Sequence, residues 1–160
     1  MKKIIILLVI LLAISYIFIN QNKAPKVSVI NVSDCSIMQD TCHVNINDSS
    51  SVSFDVNPKG LPPTKTATAI VQLNKIQASK IEVLFTSTEL GYSSPKINLN
   101  KINDKTFNGS IYLSLCALQK VNWIAYLTIY TDANTWKIAF PFVHSGDGYD
   151  IINPYDSTNK

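Results

Sequence analysis

Beyond residue 25 the apolar side chains recur with a period of two, and that period restricts the body of the chain to strands. Lys26-Val27-Ser28-Val29-Ile30-Asn31-Val32 alternates in this way, as do His43-Val44-Asn45-Ile46-Asn47 and Ser51-Val52-Ser53-Phe54-Asp55-Val56. Asp48-Ser49-Ser50 between the last two has turn composition and predicts a β-hairpin. Val44, Ile46, Val52, Phe54 and Val56 would face a core, with His43, Asn45, Ser53 and Asp55 toward water. Residues 66–74 and 80–87 read as strands, the second with Ile81, Val83 and Phe85 inward. Asn57-Pro58-Lys59-Gly60-Leu61-Pro62-Pro63 interrupts any ladder, because proline has no N–H to donate, and reads as a crossing from one sheet to another. Residues 89–95 read as a loop, 97–100 as a short strand, 106–115 as a longer one, and 114–120 as the one stretch suited to a helical turn. The two richest runs, 121–129 and 135–142, flank the turn signal Thr131-Asp132-Ala133-Asn134. They put Trp123, Trp136 and Phe140 at the centre of the core, with Phe54 and Phe85 completing it. Short strands at this spacing, with no repeat, predict an all-β protein: an immunoglobulin-like antiparallel β-sandwich. The Cys-Trp-Cys spacing of true immunoglobulin domains is not evident, so the expectation concerns architecture.

A different pattern precedes this body. Met1-Lys2-Lys3 leads into an uncharged run from Ile4 to Ile19. As a helix its 16 residues would rise about 24 Å, against a hydrocarbon core of about 30 Å. Tyr16 and the polar Asn20-Gln21-Asn22-Lys23 suit the exit from a bilayer, and the two leading lysines favour a cytoplasmic N-terminus. Ala13-Ile14-Ser15 also offers small residues at the spacing of signal-peptide cleavage, but Tyr16-Ile17-Phe18-Ile19 carries the apolar run past it. The chain thus divides into residues 1–22, a single N-terminal transmembrane helix or signal peptide, and 23–160, an exported domain with a polar tail. For a bacterial chain the expected place is the inner membrane, single-pass, with the C-terminal domain in the periplasm. The first cysteine, Cys35, stands too far from the apolar run for lipid attachment.

Charge excludes one class of partner. All 14 basic residues are lysine, and once Lys2 and Lys3 are set aside, 12 lysines meet 11 acids. Nucleic-acid recognition calls for a basic patch and for the bidentate fork of arginine, and the sequence offers neither. The expected partners are the membrane, through the N-terminal helix, and a protein of the envelope. Three cysteines in an oxidising space leave one over. Cys35 with Cys42 would close a small loop beside the first hairpin, and Cys42 with Cys116 is the rival pairing. Cys116 is then either a small buried hydrophobe near Trp123 or a soft metal ligand.

Cys35 and Cys42, Gly91-Tyr92, Leu113-Ser114-Leu115-Cys116, Trp123 and the aromatic Phe140-Pro141-Phe142 together resemble a group of small membrane-tethered bacterial envelope domains associated with copper handling. The resemblance implies an immunoglobulin-like fold and a copper site. Those domains carry a methionine-rich stretch before the glycine, and here that stretch reads Thr86-Ser87-Thr88-Glu89-Leu90. A copper site in this chain would have to draw on Cys116, His43, Met38 or His144. His43 and His144 otherwise read as solvated surface histidines. Asp147, Asp150 and Asp156 fit no calcium-loop register. Catalytic residues are not indicated: there is no G-x-S-x-G, no glycine-rich phosphate loop, no C-x-x-C, and Glu82 and Glu89 do not suggest an acid/base pair. The expectation is a non-catalytic binding or accessory module, with copper binding or delivery through Cys116 as the alternative and a small hydrolase or thiol oxidoreductase as a weaker one.

Overall fold

The computed structural model describes residues 11, 15–16, 25–61, 66–87, 89–113 and 120–144. Leu11, Ser15 and Tyr16 are helical, and no helix among the described residues is long and apolar enough to cross a membrane. The rest of the expected anchor, residues 62–65, Cys116 and the expected C-terminal tail lie outside the described residues.

The strands are β1 (Lys26–Asn31), β2 (Cys42–Asn45), β3 (Ser51–Asn57), β4 (Ala67–Asn74), β5 (Lys80–Ser87), β6 (Tyr92–Ser93), β7 (Ile97–Asn98), β8 (Asn100–Lys101), β9 (Thr106–Ile111), β10 (Val121–Tyr130) and β11 (Asn134–His144). They form two packed sheets. One is six-stranded, in the order β1-β11-β10-β5-β6 with β7 also on β5; the other is five-stranded, in the order β2-β3-β4-β9-β8. Val52, Phe54 and Val56 of β3, Val71 of β4, Phe107 of β9, Ile81, Val83 and Phe85 of β5, Trp123 and Leu127 of β10, and Phe140 and Phe142 of β11 are all buried between them. Phe54 and Phe140 meet across the gap at 5.2 Å between ring centroids, and Phe85 meets Phe142 edge-on at 6.2 Å. Trp136 lies on the same face of β11 as Phe140, but near the end of the sandwich, and is half-buried.

Three features depart from the expectation. The sandwich is not wholly antiparallel, since β1 runs parallel to β11, with Lys26 opposite Asn134 and Asn31 opposite Ala139. Alternation reports which side chains face inward and is blind to the direction of the neighbouring strand. Residues 57–66 do not cross between sheets. They return the chain to the same one, where Asn57 pairs with Thr68, so the prolines interrupt a connection between neighbours. The chain crosses instead between β1 and β2, between β4 and β5, between β9 and β10, and at Leu99, which alone separates β7 in one sheet from β8 in the other. Gly109 of β9 makes room there: a Cβ on it would stand 2.8 Å from Leu99 Cδ2. The expected loop at 89–95 also contains the short β6. Ser94, at the irregularity between β6 and β7, accepts the Phe85 N–H through Oγ at 3.0 Å and donates its own N–H to the Phe85 carbonyl at 2.8 Å.

Cys35 and Cys42 form a disulfide. It closes the loop that carries the chain from β1 over to the other sheet. Ile37 is fully buried inside that loop, and Gly60 N–H donates to the Met38 carbonyl at 3.0 Å. The cross-link adds a covalent tie to a ten-residue connection between the sheets that is otherwise ordered by these contacts.

Candidate functional site

Outward-facing side chains of β1, β11, β10 and β5 line a groove of about 390 Å³, within the range of small-ligand clefts. Across it the register aligns Val29, Lys137, Thr128 and Glu82 in one row, and Val27, Thr135, Tyr130 and Lys80 in the next. Of these rows Val27, Glu82, Thr128, Tyr130, Thr135 and Lys137 line the groove, and Pro25, Leu84 and Lys96 complete the walls.

Glu82 is the polar centre of this face and is only 7 % exposed. A carboxylate so placed must be hydrogen-bonded or paired. Lys80 Nζ lies 2.6 Å from Oε1, and the Tyr130 hydroxyl donates to Oε2 at 2.7 Å. The Lys80 bond, the Tyr130 bond and the charges of Lys80 and Lys96 hold the carboxyl below its usual range against the opposing effect of burial. The same contact raises the Tyr130 phenol, first through the hydrogen bond to Glu82 and then through burial. Lys137 stacks its ammonium on the Tyr126 ring, 3.9 Å from the centroid. Glu82 is therefore neutralised within the groove, and its partners fix the rotamers around it.

β1 forms the edge beside the groove. Among the described residues it pairs only with β11, which leaves one side of its backbone open to another strand. Val27 is 63 % exposed and Val29 61 %, both on the groove side. Most surface apolar residues need no explanation, but two adjacent ones on an open edge form a continuous apolar strip.

The residues singled out from sequence do not converge. His43 is exposed on β2, opposite Ser53 on the outer face of the five-stranded sheet. His144 is on the inner face of β11, opposite Val121, and only 4 % exposed. The expectation of a solvated His144 is therefore overturned. Its Nε2 lies 2.6 Å from the Leu61 carbonyl, which can only accept, so Nε2 carries the proton. Nδ1 is buried without a partner among the described residues. Met38 is half-buried against the core, and Leu61, in the segment read as a crossing between sheets, is buried. Among the described residues no three His, Cys, Asp or Glu side chains cluster as metal ligands would.

Glu89 lies at the opposite end of the six-stranded sheet from the Glu82–Lys80 pair. It accepts from the Asn122 backbone N–H at 3.2 Å and from the Asn122 side-chain amide. Near it, Tyr92 meets Trp123 edge-on at 5.8 Å, and the buried Trp123 indole N–H has no acceptor among the described residues. No family model, curated protein or solved structure matches this chain. The likeness to copper-associated envelope domains therefore rests on the residues quoted for it, and any function has to be argued from the groove, the free edge and the buried polar groups. Sequence reading missed the groove because its members come from four strands. The only local signal was the pairing of valines with lysines and threonines on outward positions.

Proposed function

We propose that this chain is a non-catalytic binding module of immunoglobulin-like type, held at the outer side of a bacterial inner membrane by residues 1–22, and that it docks an extended segment of an envelope protein along β1. The connectivity supports the finer fold reading: β4 and β9 pair in one sheet, β5 and β10 in the other, and the first strand lies parallel to the last. The single observation carrying the functional reading is the open edge of β1 with Val27 and Val29 beside the groove. A partner strand added there would gain main-chain hydrogen bonds and place alternate side chains over the valines. In cells, a photoreactive residue at position 29 should yield a discrete adduct that is absent when the same residue replaces His43 on the other sheet. Equal labelling at both positions would reject docking at this edge.

A second reading, Cu(I) binding through Cys116, draws support from His144. A histidine that donates one ring N–H to a backbone carbonyl and keeps the other nitrogen bare has the arrangement usual for a metal ligand. The purified chain would then bind Cu(I) at 1:1, and both Cys116→Ser and His144→Gln would lose it. Equal weak binding by all three proteins would remove this reading.

A further inference from the structure

The two ends of the sandwich differ in charge, which the nearly balanced composition conceals. One end is where Pro25 enters β1. The loops after β2, β4, β8 and β10 all gather on that rim. Ser50 Oγ donates to the Lys75 carbonyl at 3.3 Å, Ser79 N–H to the Tyr130 carbonyl at 2.9 Å, and Leu73 N–H to the Lys105 carbonyl at 2.7 Å. Among the described residues this rim carries Lys26, Lys75, Lys80, Lys101 and Lys105 against Asp48, Asp104 and Asp132. Lys101 is engaged with Asp104 at 2.9 Å and Lys80 with Glu82. Lys26, Lys75 and Lys105 stand outside those ion pairs, and all three are exposed. Among the described residues the opposite rim reverses the balance: Asp34, Asp40, Asp55 and Glu89 outnumber Lys59 and Lys120 there.

The lysine rim is also the rim from which the chain runs back to its apolar segment. Five residues lie between Ile19 and Pro25, and at most about 3.6 Å per residue keeps the rim within about 20 Å of the end of that segment. We infer that the lysine rim is a docking surface for the anionic headgroups of the bilayer that holds residues 1–22, so that the sandwich stands rim-down. This inference rests on the anchored reading above. Lysine beside an anionic leaflet gains roughly fivefold in local preference per residue, and a short tether makes the encounter intramolecular, so no high intrinsic affinity is needed. Lys26, Lys75 and Lys105 supply the attraction, while the acidic rim is repelled from the same surface. Standing in this way, β1 presents its free edge sideways at a fixed height above the membrane.

The test uses the full chain reconstituted into phosphatidylcholine vesicles with and without phosphatidylglycerol, with amide hydrogen exchange as the readout. Exchange in residues 46–50, 75–79 and 102–105 should slow at least about threefold on the anionic vesicles in about 0.05 M salt, and recover in about 0.5 M salt. The triple variant Lys26→Gln, Lys75→Gln, Lys105→Gln should lose the protection, whereas Asp34→Asn with Asp40→Asn on the far rim should retain it. Equal exchange on both lipids, or protection that survives salt or the triple variant, overturns the inference while leaving the anchor intact. A chain stripped from the vesicles by alkaline carbonate overturns the anchored reading, and the inference with it.

Discussion

Glu82 shows how one buried charge sets the chemistry of a surface. Its carboxylate is engaged by Lys80 and Tyr130, and the hydrogen bond from Lys80 is the largest influence lowering its pKa. A carboxyl whose folded pKa is depressed contributes stability that is fully present above its ordinary value of 4.5 and is lost as pH falls through the folded value. Thermal melts between pH 7 and pH 2 should therefore show a loss of stability setting in below about pH 4.5, attenuated in Glu82→Gln. An identical acid profile for the variant would remove Glu82 from this role. Asp55 behaves alike on the other sheet: burial works against ionisation, but Lys59 and the Thr41 hydroxyl at 2.9 Å keep its carboxyl below the ordinary value. Glu82→Gln isolates the contribution of Glu82 from that of Asp55. His144 is the residue least legible beforehand. It follows Phe140-Pro141-Phe142-Val143 at the end of a strand, where sequence favours exposure, yet the alternation continues one step further and turns the ring inward.

At the scale of elements, the connection from β1 to β2 is the point where the fold depends on a covalent link. The disulfide spans a sequence separation of 7, for which chain entropy predicts roughly 2–3 kcal/mol. Cys35→Ser with Cys42→Ser should lower the melting temperature by several degrees, and reductant should do the same to the wild type but not to the variant. A melting temperature unmoved by either would mean that Ile37 and the Gly60–Met38 hydrogen bond suffice to order the loop. The hairpin of β2 and β3 and the hairpin of β10 and β11 could both be read from the sequence, because alternation and turn composition act within a dozen residues. The parallel pairing of β1 could not, since its partner lies more than a hundred residues away and no local pattern encodes strand direction.

At the scale of the whole molecule, the two sheets are held by one continuous core whose contacts are mostly remote in sequence. Phe140 is its natural probe, packing from the six-stranded sheet onto Phe54 of the five-stranded one. Phe140→Ala should cost about 3–5 kcal/mol, and exchange-protected amides of both sheets should lose protection together. Loss confined to one sheet would show that the sheets unfold separately.

The sequence by itself determined that the body is built of strands, which faces of most of them are buried, and that Cys35 lies within reach of Cys42. These are consequences of period-two alternation and of short separations, and they need no knowledge of distant partners. Only the tertiary structure decided the groove, the open edge of β1, the burial of His144 and the opposed charge of the two rims. Each of these joins residues from strands or loops far apart along the chain, and their meeting is fixed by how the sheets pack rather than by any local pattern.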